Sequence, residues 1–281
     1  MKPTYTETQV NKAVTFRALH ERPGIFAFPN PWDAGSAKML TALGFEALAT
    51  TSAGVAFSLG KPDGEGALTR EDTLANASAI VQATTLPVAG DLENGYGDRP
   101  EDCAYTILAA AAAGLVGGSI EDSTGRPDDP IYPFELSVER VKAAVQAARS
   151  LPFPFTLTAR AENLINGRPD LNDTIRRLEA FAAAGADVLF APGLSTREEI
   201  VTVVKAVAPK PVNVVVGLGM TGLSLNDLEA LGVKRVSLGS SLARAAYSGF
   251  LRAAEELHSR GTFGFTAGLT SYGEINKILK G

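Results

Sequence analysis

Eight short, nearly continuous apolar runs, separated by longer alanine-rich amphipathic segments, constrain this chain more than any other feature. The runs fall at 25–28, 47–51, 87–91, 117–121, 155–160, 188–191, 212–216 and 235–238. Strand-length runs without apolar–polar alternation are expected where parallel strands are covered on both faces. Helical segments lie between them at 31–43, 70–84, 100–113, 137–150, 171–184, 196–207 and 225–231. Ser195 with Glu198, or Thr196 with Glu199, can close a capping box, and Pro100 suits a first helical turn. Gly44, Gly114, Gly185 and Gly232 follow helices where a left-handed residue is wanted. About eight βα units with no linker between them predict a (β/α)8 TIM barrel rather than an open sheet. The 281 residues then form one domain, 1–281, with about 240–281 left over as a C-terminal helical extension. A spare helical tail of that kind predicts an oligomer.

Composition excludes several partners. Net charge is −5 with no basic cluster, so nucleic acid is not an expected partner. The uncharged stretch 103–120 approaches the length of a membrane span. Gly114, Gly117 and Gly118 interrupt it, however, and a helix, a turn and a buried strand account for it better. Residues 1–11 are polar and lack an apolar signal core. One cysteine, Cys103, can form neither an internal disulfide nor a cysteine-rich metal site. A cytoplasmic protein with no membrane partner is expected.

Polar residues cluster just after the strands, at the end where barrels carry their active sites. Asp91 and Glu93 end one strand and Glu121 ends the next. Alternation along an extended segment would point Asp91 and Glu93 the same way. Carboxylates converging at one mouth repel unless a cation or a proton intervenes. Oxygen-only ligands suit Mg²⁺ or Mn²⁺; the alternative is that these acids simply solvate strand ends. Arg160 ends a further strand, with Glu162 two residues on. It can clamp a substrate carboxylate or close an internal ion pair with Glu162 or Glu121.

Other chemistries find little support. His20 and His258 lie in predicted helices near the two ends, and Cys103 lies inside another. There is no Gly-x-Ser-x-Gly elbow. Gly217-Leu-Gly-Met-Thr-Gly222 matches a dinucleotide fingerprint but belongs to the seventh unit, with no acid about twenty residues on. A tight barrel loop explains it better.

With these residues placed, the chain resembles the isocitrate lyase/phosphoenolpyruvate mutase superfamily from about Asn30 to Phe263. The resemblance rests on Asn30-Pro-Trp-Asp33, Thr51-Ser-Ala-Gly54 with Leu59-Gly-Lys-Pro-Asp63, Asp91-Leu-Glu-Asn-Gly-Tyr-Gly97, Ser119-Ile-Glu-Asp122, Thr158-Ala-Arg-Ala-Glu162 and Val236-Ser-Leu-Gly239. It implies a barrel whose last helix is swapped with a partner subunit, usually in a dimer of dimers (a homotetramer). It implies chemistry at C3 of a small 2-oxo carboxylate through a pyruvate-enolate intermediate. The matching metal set is Asp91, as the ligand, with Glu93 and Glu121, which like Asp63 hold metal-bound waters; the family's second aspartate is here Glu93. Thr51, Ser52, Arg160 and Glu162 match the substrate-binding positions, and Arg160, Asp63 and Glu121 the catalytic ones.

The departure lies at 122–135. Lyases of the superfamily carry a Lys-Lys-Cys-Gly-His gate there, and the mutases a lysine and an asparagine. This loop reads Asp122-Ser-Thr-Gly-Arg-Pro-Asp-Asp-Pro-Ile-Tyr-Pro-Phe-Glu135, without cysteine, lysine or histidine. Decarboxylation of an oxaloacetate-like acid demands least of side chains and is the expected reaction. The alternatives are hydrolytic cleavage of oxaloacetate, phosphonopyruvate-type or 2-methylisocitrate-type activity, and a 2-oxo acid-binding protein without turnover.

Overall fold

A computed structural model describes residues 4–64, 66–217, 220 and 222–280. Eight parallel strands form one sheet in the order β1-β8-β7-β6-β5-β4-β3-β2. They are β1 (Phe26–Phe28), β2 (Leu48–Ala49), β3 (Val88–Asp91), β4 (Gly117–Glu121), β5 (Thr156–Arg160), β6 (Val188–Phe190), β7 (Val212–Val215) and β8 (Arg235–Ser237). Each expected apolar run contains one of them. Between β1 and β2 the ring closes through a hydrogen bond from Ala49 N to Pro29 O, 3.0 Å. Asn30 reinforces the seam by donating to Thr50 O and accepting from Leu238 N, each at 2.9 Å. The architecture is the (β/α)8 barrel.

The helices are α1 (Glu7–Glu21), α2 (Ala34–Ala42), α3 (Ser52–Ser58), α4 (Arg70–Ala83), α5 (Pro100–Ala112), α6 (Phe134–Arg149), α7 (Leu171–Ala183), α8 (Arg197–Val207), α9 (Leu225–Ala230), α10 (Ser241–Arg260) and α11 (Tyr272–Lys280). Capping boxes start α2 at Asp33/Ser36, α4 at Thr69/Asp72, α8 at Thr196/Glu199 and α9 at Ser224/Asp227. Each satisfies N–H groups that a helix start otherwise leaves unpaired. Gly44, Gly114, Gly185 and Gly232 all have positive φ, as expected.

Two elements were not anticipated in full. α1 begins within the polar N-terminal stretch and covers the N-terminal end of the barrel. Its Phe16 ring stacks on Phe28 at 5.4 Å between centroids. A Cβ on Gly117 would sit 2.9 Å from the Phe16 ring, so that strand position needs glycine. α3 follows β2 directly, with Thr51 as its N-cap.

The uncharged stretch 103–120 is the expected helix, turn and strand, running from α5 into β4. No described helix is long and apolar enough to cross a membrane. In the Gly217–Gly222 loop, residues 218, 219 and 221 lie outside the described ones. The tail folds as two helices, but within this chain α10 buries only Ala243 over its 20 residues. Phe250, Leu251 and Phe263 are each more than 60% exposed.

Candidate active site

The strand ends bring the acids and the arginine together. In register, Arg160 lies beside Glu121 and Asp91 beside Ser119, so Glu121 sits one inward step above Asp91. Arg160 spends its whole guanidinium on carboxylates. Nη1 donates to Asp91 Oδ1 at 2.8 Å, Nη2 pairs with Glu121 Oε2 at 3.1 Å, and Nε donates to Glu162 Oε1 at 2.8 Å. The internal ion pairs foreseen for Arg160 therefore form, with Asp91 added to them. Glu162 is the most buried of these acids, its side chain 3% exposed, and it orients Arg160 from behind.

Asp91 is held from three directions. Its other carboxylate oxygen accepts the Ser52 backbone N–H at 3.0 Å, and its own N–H donates to Thr50 Oγ1 at 2.8 Å. Thr51 lines the same cavity, but its hydroxyl is occupied as the cap of α3, accepting from Gly54 N at 3.3 Å.

Glu93 departs from expectation. The extended backbone ends at Asp91, and Glu93 adopts a left-handed conformation with φ +46°. Alternation along a strand therefore does not set its direction. The turn is fixed by Gly95 N donating to Leu92 O at 2.9 Å, while Glu121 N donates to Glu93 O at 3.0 Å. Tyr96 is also left-handed, φ +60°. Arginines grip the carbonyls of this loop: Arg140 donates to Asn94 O and to Gly97 O, and Arg70 to Gly95 O and Tyr96 O. The backbone strain is thus overdetermined by its surroundings.

The electrostatics are unbalanced toward negative charge. Burial, then Asp91 and Asp63, push the Glu93 carboxyl up to about 7 against the pull of Arg160. Glu121 is raised well above the carboxylate range, chiefly by burial, with Glu162, Asp91 and Glu93 adding to it. Asp63 lines the exposed rim of the cavity, and its carboxyl is raised by desolvation and by Asp91. Among the described residues, Glu93 accepts no side-chain hydrogen bond. Five carboxylates thus share one guanidinium, an arrangement that a hard divalent cation would relieve. Asp91, Glu93 and Glu121 do not close into a ready-made ligand cluster, since no group of three metal-binding side chains does so among the described residues. Two of them are drawn to different nitrogens of Arg160 instead. The oxygen donor set fits Mg²⁺, which keeps several waters and takes one or two carboxylates directly.

Loop 122–135 forms one wall. Asp122 turns away from the cavity and is buried: Oδ1 accepts from Glu162 N at 2.8 Å and Oδ2 pairs with Arg177 at 3.0 Å. Ser123 bridges to Ile131, and Arg126, the loop's one cation, pairs with Asp98 at 2.9 Å. The described side chains around the carboxylates and the adjoining cavity include no cysteine, histidine or lysine. Thr50, Arg177 and Arg235 were not singled out from sequence, and Asn30 only within the Asn30-Pro-Trp-Asp33 motif. A polar residue directly after a strand was the available signal for Thr50; nothing local marks Arg177 and Arg235.

The family model described as phosphoenolpyruvate phosphomutase matches residues 16–258. The chain belongs to this family, within the isocitrate lyase/phosphoenolpyruvate mutase superfamily. A crystal structure of a candidate lyase/mutase from Burkholderia cenocepacia J2315 is similar at 58% identity and TM-score 0.94, over 97% of this chain and 96% of that one. The 2,3-dimethylmalate lyase of Eubacterium barkeri is 31% identical over 79% of this chain and 78% of its own length. Oxaloacetate acetylhydrolase, solved with the inhibitor 3,3-difluorooxalacetate, is 26% identical with TM-score 0.85, over 95% of this chain and 93% of that one. The superfamily relatives include lyases, mutases and a hydrolase, which supports an enzyme.

Proposed function

We propose that this enzyme is a Mg²⁺-dependent carbon–carbon lyase that breaks the bond to C3 of a small 2-oxo dicarboxylate, with decarboxylation of an oxaloacetate-like acid as its reaction. The observation that carries the reading is the ring of acids around Arg160, with Asp91 at its centre. Asp91, with Glu93 and Glu121 directly or through water, would hold the cation. When bound, Mg²⁺ or Mn²⁺ supplies Lewis-acid polarisation of a 2-oxo carboxylate and balances the surplus negative charge.

The chain's own residues do the rest. Arg160 Nη1, which faces Asp91, would take a substrate oxygen, while Glu162 keeps the guanidinium aimed through Nε. Arg160 then faces the C2 oxygen as negative charge collects there, stabilising the transition state more than the ground state. The Ser52 hydroxyl and the Thr51 backbone N–H, at the start of α3, would position the carboxylate end. With no thiol among the described cavity side chains, the proton taken up at C3 comes from water or a carboxyl.

The test is pyruvate release from oxaloacetate, measured above the rate of free Mg²⁺. No excess over that background, or no loss in Asp91→Ala, sinks the reading. Hydrolytic cleavage is the second reading, favoured by the likeness to oxaloacetate acetylhydrolase. It yields acetate and oxalate in place of pyruvate and carbon dioxide, so one product analysis separates the two.

A further inference from the structure

The interior of a (β/α)8 barrel is ordinarily filled by layers of bulky branched side chains. Here Ala49, Ala89, Ser119, Thr158, Asn213 and Ser237 line a single cavity of about 400 Å³ that continues from Arg160 to Arg235. Arg235 opens β8, in register with Phe26 and Asn213, and so lies at the barrel's N-terminal floor.

Arg235 is 4% exposed. Nε donates to Asn213 Oδ1 at 2.8 Å, Nη2 donates to Thr158 Oγ1 at 3.0 Å, and Nη1 lies 3.1 Å from His20 Nε2. His20 Nδ1 stands 2.8 Å from Phe16 O, which assigns the ring proton to Nδ1 and leaves Nε2 as the acceptor. The Phe28 ring lies against the guanidinium at 4.7 Å. Every one of these neighbours is neutral. Burial lowers the pKa of Arg235 to about 9, with no carboxylate among the described residues to offset it.

A buried, unpaired charge is among the costliest features a fold can carry. Bracing of β5, β7, β8 and α1 accounts for three of the five N–H groups. It leaves two N–H groups and one whole positive charge without a counter-ion beside an open cavity. The geometry points to a binding site for one small monovalent anion, of halide or formate size, seated on Arg235 at the floor of the barrel. The described cavity wall from β6 to α10 carries no acid, and Arg244 stands exposed at its mouth, so an anion can enter away from the carboxylates. The site does not depend on the reaction proposed above.

Crystals of the full chain grown in bromide test it. An anomalous bromide peak at hydrogen-bond distance from the Arg235 nitrogens is expected, and formate crystals should show density at the same point. In solution either anion should raise the Tm by about 2–4 °C at several times its dissociation constant. The control is Asn213→Asp, which gives the guanidinium a carboxylate of its own and should abolish both the density and the extra shift. Arg235→Gln should do the same; if it fails to fold, the Asn213→Asp comparison decides alone. Water at that position in the bromide crystals, or equal shifts in wild type and Asn213→Asp, overturns the proposal.

Discussion

Arg160 and Asp91 meet across β4, Nη1 to Oδ1 at 2.8 Å, although their strands β5 and β3 are not neighbours. The guanidinium reaches over the intervening strand and takes Glu121 from it on the way. Acids that would otherwise repel are thereby held on one guanidinium.

Replacing Asp91 by Asn keeps the shape but removes the central charge. Loss of one preorganised electrostatic partner typically lowers turnover by 10²–10³-fold. We expect kcat/KM for the oxo acid to fall by about that factor, and Mg²⁺ binding to disappear from a calorimetric titration. The thermal midpoint should stay within a few degrees, since Glu121 and Glu162 still hold Arg160. An unchanged Mg²⁺ isotherm would remove Asp91 from the metal site.

Glu93 makes both cation binding and stability depend on pH. Its carboxyl is raised to about 7 in the metal-free fold, so Mg²⁺ affinity should climb as pH rises through neutrality. Stability runs the other way. The folded chain holds a proton that the unfolded chain has already released, so this contribution is full below about 4.5 and fades as pH rises through about 7. In chelator, the wild type should lose midpoint temperature between pH 5 and 8 relative to Glu93→Gln. Parallel pH curves for the two proteins would contradict this.

The pair of Asp122 and Arg177 should govern folding rather than chemistry. Both side chains are nearly inaccessible, at 2% and 6% exposure. Asp122→Ala removes the buried one of Arg177's two carboxylate partners, and breaking a buried pair costs about 3–5 kcal/mol. Urea denaturation should show a drop of that size. A change below about 1 kcal/mol would mean that Asp173, which also pairs with Arg177, carries the load alone.

The outer face of α10 should bind a second copy of the chain, as the resemblance implies for a swapped terminal helix. Phe250 and Leu251 are 68% and 63% exposed on a helix that buries almost nothing in its own chain. Phe250→Asp combined with Leu251→Asp should reduce the mass measured by light scattering to that of a monomer. Wild-type protein that is already monomeric at micromolar concentration would end this expectation.

The strands could be located from sequence because burial on both faces leaves each as a nearly continuous apolar run, with a glycine marking the preceding helix end before β2, β4, β6 and β8. α3 was hidden because its seven residues, Ser52–Ser58, have too little length for helical periodicity to separate them from a strand end. Among site residues, Asp91, Glu121 and Arg160 could be placed because each terminates a strand. Glu93 was placed on the right loop with the wrong backbone, since a left-handed glutamate leaves no compositional mark. Arg177 and Arg235 act on groups 55 and 22 residues away in the chain, and only the folded barrel brings such distant positions together.

The carbonyls from Asn94 to Gly97 are all taken by Arg70 and Arg140, two side chains that belong to the helical shell. The carbonyls of the acid-bearing segment are therefore clamped from the helical shell, while the wall at 122–135 holds its side chains: Asn94 Nδ2 donates to Thr124 O at 3.4 Å, and Tyr132 Oη donates to Asp98 Oδ1 at 2.6 Å. Exchanges in that wall away from Asp122, Thr124, Arg126 and Tyr132 leave this carbonyl clamp in place. A protein assembled in this way can alter which molecules it accepts and still retain the apparatus that activates them.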